Sequence, residues 1–481
     1  MSVAATTAVA ETATDPPAYR WRWVALFAIL TAEVMDLLDA LVTTIAGPTI
    51  RADLGAPEST IQWLAAGYTL AMAVGLVTGG RLGDLYGRRR MFLVGTGGFV
   101  AASLLCAVAQ GEGTLVTARV LQGLFGAVLL PQGLGLIKEM FPPSQVGAAF
   151  GLFGPVMGLS AVGGPILAGW LVDADLFGLG WRMIFLVNLP IGLLGLLLAM
   201  RFLPKSRDAA APRLDLGGVG LVSAAMFLLV FPIVQGRELG WPAWTFASMA
   251  LALGVFGLFG WYELRRQRRG LDPLVIPTLF RKRAFTGGLI AGTAYFAGML
   301  GFSLTLSLYL QLGLGFTPLR TGLTTVPQAI GVVAGFGLSA VGGFARKHGR
   351  VALQGGVAVM ALAVLAFLAT VHFSTEVSSW RLAPALALFG IGMGLAMAPF
   401  FDIILAGVSP RESGSASGAL NAAQQFAGAL GVATLGTLFF NRAAGPSGVP
   451  GAIEAVLWAV VGLLALTFAL SFLLPRVARP E

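Results

Sequence analysis

The sequence predicts an all-α integral membrane protein that crosses the bilayer fourteen times, and three observations carry that prediction. Of its 481 residues, 57% are hydrophobic and only 11% charged, with a mean hydropathy of +0.84; a soluble domain is about 25% charged. The apolar residues gather into runs of roughly 20, the length of a spanning helix and twice that of a barrel strand. The basic residues between the runs alternate strongly in number from one connection to the next.

In chain order the apolar segments lie near 23–47, 61–80, 91–110, 114–137, 146–171, 182–203, 214–235, 243–263, 285–311, 321–344, 350–371, 381–405, 416–440 and 452–475. Connections are short. The longest, "LRRQRRGLDPLVIPTLFRKRAF" (264–285), is basic and broken by proline, which predicts a segment lying along the membrane surface. With the N-terminus placed in the cytoplasm, 24 of the 31 Lys and Arg fall on inside segments and six on outside ones, with Arg119 inside a span. The positive-inside rule then sets both termini in the cytoplasm. The net charge of +9 is therefore topological and does not mark a nucleic-acid patch. Residues 1–20 are small, polar and acidic, without the basic start or cleavage site of a signal peptide, and read as a disordered cytoplasmic tail. One cysteine, Cys106, allows no intrachain disulfide, and two histidines, His348 and His372, make no metal centre alone. No cofactor or metal is expected.

Between spans two and three stands "GGRLGDLYGRRRMF". Gly83 and Gly87 permit a sharp turn around Asp84, and Arg88 to Arg90 follow. A carboxylate at a helix end can pair with a nearby arginine and with the positive end of a facing helix, forming a charged conformational latch. Plain inside-loop basicity explains the arginines but not the glycine–aspartate frame. "GRLGDLYGRRR" resembles the loop signature of the major facilitator superfamily, transporters built from two six-helix halves. "ARVLQGLFGA" (118–127) is similar to that superfamily's fourth-span signature, with Arg119, Gln122 and Gly123 in matching places. In span five, "GLFGPVMGLSAVGGPILAGWL" resembles the glycine–proline signature of drug:proton antiporters. There Gly151, Gly164, Pro165 and Gly169 match, and Ser160 and Ala168 replace two glycines. "LLDALVTTIAGPTI" and "WRMIFLVNLPIG" resemble stretches of the fourteen-span drug:proton antiporter family, Asp39 and Pro48 falling on the first-span aspartate and proline. The resemblance implies a major facilitator fold with a tail (1–20), an N-terminal half (21–205), two additional central spans (206–270) and a C-terminal half (271–476). It also implies proton handling at Asp39 and Arg119. Gly154 and Gly158 make a small-residue face suited to close helix packing, and Pro155 and Pro165 loosen the same helix.

Span one holds three acids, Glu33, Asp36 and Asp39. Each costs about 2.5–3.5 kcal/mol at the centre of a span, against about 0.3–0.6 recovered per leucine, so they must face a cavity or partners. They fall within a stripe about 120° wide, so one face of the helix looks inward. Asp39 and Arg119 sit at similar depth and can interact. Asp39 is expected to bind and release the driving proton, with Arg119 biasing it. Glu33 and Asp36 have two open readings: further protons or a cationic substrate, or a structural network with the glutamines. Exchanging one proton for one monovalent cation moves no net charge and wastes a membrane potential worth about 2.3 kcal/mol per 100 mV. A second proton would use it.

In the second half, Asp402, Asn421, Gln424 and Gln425 are the polar residues expected to face a substrate cavity, together with Glu33, Asp36 and Gln122. "ARKHGR" (345–350) resembles a degraded copy of the first latch, lacking its aspartate. The expectation is a proton-driven exporter of amphipathic, cationic drugs or secondary metabolites, working as a monomer in the lipid bilayer of the cytoplasmic membrane. A dedicated exporter or symporter of one metabolite is the alternative. A prenyl-transferase-like enzyme would need a D-D-x-x-D pattern, which is absent, and a receptor would need a larger loop.

Overall fold

Proline shapes this helical molecule as much as apolar periodicity does. The computed structural model describes residues 19–142, 145, 148–149, 152–205, 215–340, 347–374, 376–406, 408–409 and 412–477. The expected tail lies outside them except for its last two residues. Fourteen helices of fifteen or more residues follow in order among the described residues. They are α1 (Arg22–Leu54), α2 (Ser59–Tyr86), α3 (Arg88–Ala107), α4 (Glu112–Met140), α5 (Phe153–Asp173), α6 (Asn188–Phe202), α7 (Leu216–Gln235), α8 (Ala243–Arg268), α9 (Arg283–Leu308), α10 (Pro318–Ala340), α11 (Arg350–Phe373), α12 (Ser379–Ala406), α13 (Ser413–Ala443) and α14 (Gly448–Leu470).

Twelve stretches among the described residues are long and apolar enough to cross a membrane, fewer than the fourteen expected. The two helices outside that count are α1, which is 33 residues long but carries the three carboxylates, and α5, whose apolar stretch is described from Gly158 to Asp173.

Helix α1 continues past the expected end near residue 47, through Pro48 to Leu54, and stops at Gly55 (φ +59°). A proline inside a helix frees the carbonyl four residues earlier, and here neighbouring helices fill the gap. Thr44 O, freed by Pro48, accepts from Ser307 Oγ of α9 at 2.8 Å. Leu228 O, freed by Pro232 in α7, accepts from Ser248 Oγ of α8 at 2.8 Å. Leu395 O, freed by Pro399 in α12, accepts from Ser339 Oγ of α10 at 3.5 Å. Satisfying backbone groups through a neighbour is what permits proline in a lipid-embedded helix.

The packing repeats. In α1–α6, the first helix packs on the fifth and sixth, the second on the fourth, and the third on the fourth and sixth; α9–α14 repeat those pairings. The second helix of each set meets the fifth of the other, α2 on α13 and α10 on α5. This is the pseudo-two-fold arrangement of a duplicated half. At the α5–α10 crossing, a Cβ on Gly169 would lie 2.4 Å from Leu319 Cα and one on Gly322 2.2 Å from Pro165 O, so only glycine lets these backbones touch. Helices α7 and α8 pack on each other, and α7 also touches α2 and α13 at the seam.

Candidate functional site

Five helices of the first half converge on Asp39, which is 1% exposed, as is Arg119. Arg119 Nη1 donates to Asp39 Oδ2 in a fully buried ion pair. Asp39 Oδ1 accepts from Gln122 Nε2 and from Asn188 Nδ2, both at 2.8 Å. Gln122 also donates to Ser103 Oγ at 2.8 Å and accepts from Arg119 Nη1 at 2.6 Å, while Arg119 Nε reaches Leu64 O at 3.2 Å. With donors on both oxygens, this is the hydrogen-bonding pattern of a carboxylate rather than of a carboxylic acid. Charge-assisted bonds of this kind offset the desolvation that burial imposes on both ions.

Tyr68 of α2 joins a second acid to this group. Its hydroxyl donates to Asp36 Oδ1, and its ring lies 4.3 Å from the Arg119 guanidinium carbon, within cation–π range. Phe185 offers a second face at 5.9 Å. Asp36 is 7% exposed. Glu33 differs: it is half-buried, it lies against α4, where a Cβ on Gly133 would come within 3.6 Å of its Oε1, and it makes no hydrogen bond among the described residues.

The expected Asp39–Arg119 interaction is thus present. Other placements depart from expectation. Gln122 is fully buried, with both amide atoms committed around Asp39. One glutamine, Gln122, bonds Asp39, and among the described residues none bonds Glu33 or Asp36. Gln425 comes across from α13 to Met72 Sδ, one turn from Tyr68, at 2.7 Å, and Asn421 and Gln424 are half-buried on the same helix. Asp402 is exposed near the end of α12. Sequence reasoning missed Tyr68, Ser103 and Asn188. Asn188 was legible as an amide entering an apolar span within "WRMIFLVNLPIG". The same stretch fixes the far end of α1, where Trp181 Nε1 and Arg182 Nη1 donate to Asp53 Oδ2 at 2.8 and 2.9 Å.

The loop after α2 is tied to α4 of its own half. Gly87 turns at φ +94°, Arg88 pairs with Asp84 at 2.8 Å and with Glu139 of α4 at 3.0 Å, and a Cβ on Gly83 would lie 1.8 Å from Gln132 Oε1. Of the second-half copy, residues 347–350 are described; Arg350 Nη1 donates to the carbonyls of Phe472 and Leu474 at 3.3 and 3.1 Å. In span five, Gly164, Pro165 and Gly169 are buried where α5 meets α1 and α10. Gly151 lies outside the described residues, as do the side chains around Gly154 and Pro155. No group of three or more His, Cys, Asp or Glu able to hold a metal occurs among the described residues.

The Major Facilitator Superfamily model matches residues 26–432. The chain is similar, at 52% identity over 432 residues, to a probable actinorhodin transporter of Streptomyces coelicolor, covering 89% of this chain and 74% of that one. It is 36% identical over 468 residues to a puromycin resistance protein of Streptomyces alboniger, covering 94% and 91%. It is 32% identical over 424 residues to a tetracenomycin C resistance and export protein of Streptomyces glaucescens, covering 87% and 76%. Among solved structures, a POT family transporter in complex with 5-aminolevulinic acid matches with a TM-score of 0.68 at 15% identity, covering 94% of this chain and 96% of that one, a likeness of fold.

Proposed function

The chain belongs to the Major Facilitator Superfamily and is a multi-pass membrane transporter, and on that premise we propose that it exports amphipathic, cationic drugs or secondary metabolites in exchange for protons. Asp39 is the coupling carboxylate. The observation that carries this reading is the buried Arg119–Asp39 pair, whose oxygens both accept hydrogen bonds. A proton reaching Asp39 removes the charge that holds Arg119 and leaves a buried guanidinium seeking a new partner. Tyr68 stands between that guanidinium and Asp36, so Asp36 is the carboxylate able to compensate it. Neutralising one acid thereby changes the packing of α1, α2 and α4 together. Gln122, Asn188 and Ser103 position Asp39. Glu33, half-buried and without a hydrogen bond among the described residues, is the acid left to meet a cationic substrate, with Gln425, Asn421, Gln424 and Asp402 supplied by the second half.

In this reading α1 and α5 also span the membrane, giving fourteen crossings, and the basic segment 264–285 marks the cytoplasmic face with both termini on the same side. The protein works as a monomer in the cytoplasmic membrane, without a cofactor. Two halves flank the α7–α8 pair, with the divisions at 21–205, 206–270 and 271–476. Alternating access would turn on the α2–α13 and α5–α10 seams.

A dedicated exporter of one metabolite is the second reading, favoured by the 52%-identical relative whose name carries a single compound. Purified protein in liposomes with an imposed pH gradient separates these. Lipophilic-cation flux and internal pH are followed together for the wild type and Asp39→Asn. Coupled fluxes that vanish in the variant support the proposal. Coupled flux surviving in Asp39→Asn refutes the assignment of Asp39, and a wild type that moves no lipophilic cation removes the multidrug reading.

A further inference from the structure

Two more carboxylates are buried far from span one in sequence. Asp215 precedes α7 and Glu263 lies near the end of α8; they are 1% and 3% exposed. Both converge on Gly218, where a Cβ would lie 2.7 Å from Asp215 Oδ2 and 2.4 Å from Glu263 Oε1. Among the described residues those same two oxygens accept no hydrogen bond. Their companions do: Asp215 Oδ1 accepts from Gly218 N at 2.9 Å and Tyr262 Oη at 3.0 Å, and Glu263 Oε2 accepts from Val275 N at 3.2 Å.

Among the described residues the charged groups facing the pair are few. Arg266 of α8 has its Nε 3.3 Å from Asp215 Oδ2 while donating to Asp272 O at 2.8 Å. Arg81 of α2 and Asp272 of the following segment complete the set. Against these two arginines stand three acids, Asp215, Glu263 and Asp272, one carboxylate more than the cations can neutralise. Two buried acceptor oxygens facing each other repel when both acids are ionised; one proton on either makes it a donor to the other and satisfies both oxygens at once.

We propose that Asp215 and Glu263 hold one proton between them, forming a second proton-binding site that keeps residues 272–282 strapped across the two halves. That segment is tied to the first half by Arg81, which donates to the carbonyls of Pro273 and Leu274. It is tied to α13 by Ile276 N on Ser415 Oγ at 3.3 Å and by Lys282 Nζ on Glu412 Oε2 at 2.7 Å. Glu263 holds its middle through Val275. Loss of the proton to bulk water leaves two facing carboxylates, of which Glu263 is the one that must swing out, releasing Val275 and loosening the tie between α2 and α13. The site stands whether or not transport is coupled to Asp39.

The test is thiol labelling of Leu274→Cys in the full chain in lipid, across pH, with rates normalised to the denatured chain at each pH. The chain without that substitution, whose Cys106 is buried, gives the background. Labelling should rise with pH at up to about tenfold per unit, the slope of a single proton. Glu263→Gln, which keeps a donor facing Asp215, should label slowly at every pH, and Asp39→Asn should keep the rise. A flat profile with both acids intact overturns the proposal, as does the same rise in Glu263→Gln. Should Glu263→Gln fail to fold, Asp215→Asn supplies the comparison, and a flat profile in the otherwise unaltered chain is decisive alone.

Discussion

The two halves share one packing plan and fill it with opposite chemistry. The core of α1–α6 contains Asp36, Asp39, Arg119, Gln122, Asn188 and Tyr68, all under 9% exposed. The corresponding core of α9–α14 is aromatic. Phe296 meets Phe400 at 5.7 Å between ring centroids, and Phe302 meets Phe389 at 4.7 Å and Phe367 at 6.2 Å. Even the loops that repeat differ: Arg88 engages two carboxylates, while Arg350 engages backbone carbonyls. In the proposed mechanism a protonation event rearranges the first half, which moves against an aromatic second half. That reading places the switch in one half and the lever in the other.

The largest expected effects break this contrast directly. Arg119→Met strands Asp39 and should cost about 3–5 kcal/mol, as removing one partner of a buried pair does; adding Asp39→Asn should recover much of it, since no uncompensated ion remains. Phe302→Ala should cost a similar ~3–5 kcal/mol through the cavity it leaves, but no polar substitution elsewhere should restore it, and proton coupling should persist in the protein that folds. Denaturant titration of the purified variants measures both. A Phe302→Ala variant that folds yet loses coupling would make the second half part of the switch.

Tyr68→Phe sharpens the comparison. It keeps the ring against Arg119 and removes only the hydroxyl on Asp36. The stability loss should be about 1–3 kcal/mol, the range for leaving a buried acceptor unsatisfied. The pH at which coupled flux is half-maximal should move, because Asp36 loses its donor while Arg119 keeps its aromatic face. An unmoved profile would limit Tyr68 to packing.

What the sequence made legible was whatever breaks composition. Three acids in an apolar run, one arginine in another and a glycine–aspartate turn are each costly in lipid, and the structure gives Asp39, Arg119 and Asp84 partners. What it hid were residues that are ordinary in a span. Tyr68 and Ser103 cost little wherever they point, so no local signal separates a lipid-facing copy from one that orients an acid. Gln122 was found but assigned to substrate, because a sequence shows that an amide is present and not which way it faces. Asp215 and Glu263 escaped as a pair because 48 positions separate them, and only the turn-back of α7 onto α8 brings them together.

The smallest expected effect lies at the joint between the halves. Glu412 accepts from Lys282 Nζ and from Ser409 Oγ, both at 2.7 Å. The hydrogen bond from Lys282, then that from Ser409, hold its carboxyl at about 2, below the ordinary 4.5. A carboxyl whose value is lowered by folding stabilises the fold fully above its unfolded value and loses that contribution as pH falls toward the folded one. The tie between residue 282 and α13 should therefore be intact at neutral pH and weaken only between about pH 4.5 and 2. Glu412→Gln should flatten that acid limb of the stability profile by a modest amount and leave transport at neutral pH nearly unchanged, because the pair is partly exposed and screened by solvent. Strap loosening from the Asp215–Glu263 site would instead appear on raising pH, so the two ties are separable on one titration. An acid limb unchanged in Glu412→Gln would mean that the bond from Ile276 N to Ser415 Oγ holds the joint, and that the lever is fastened by neutral hydrogen bonds alone.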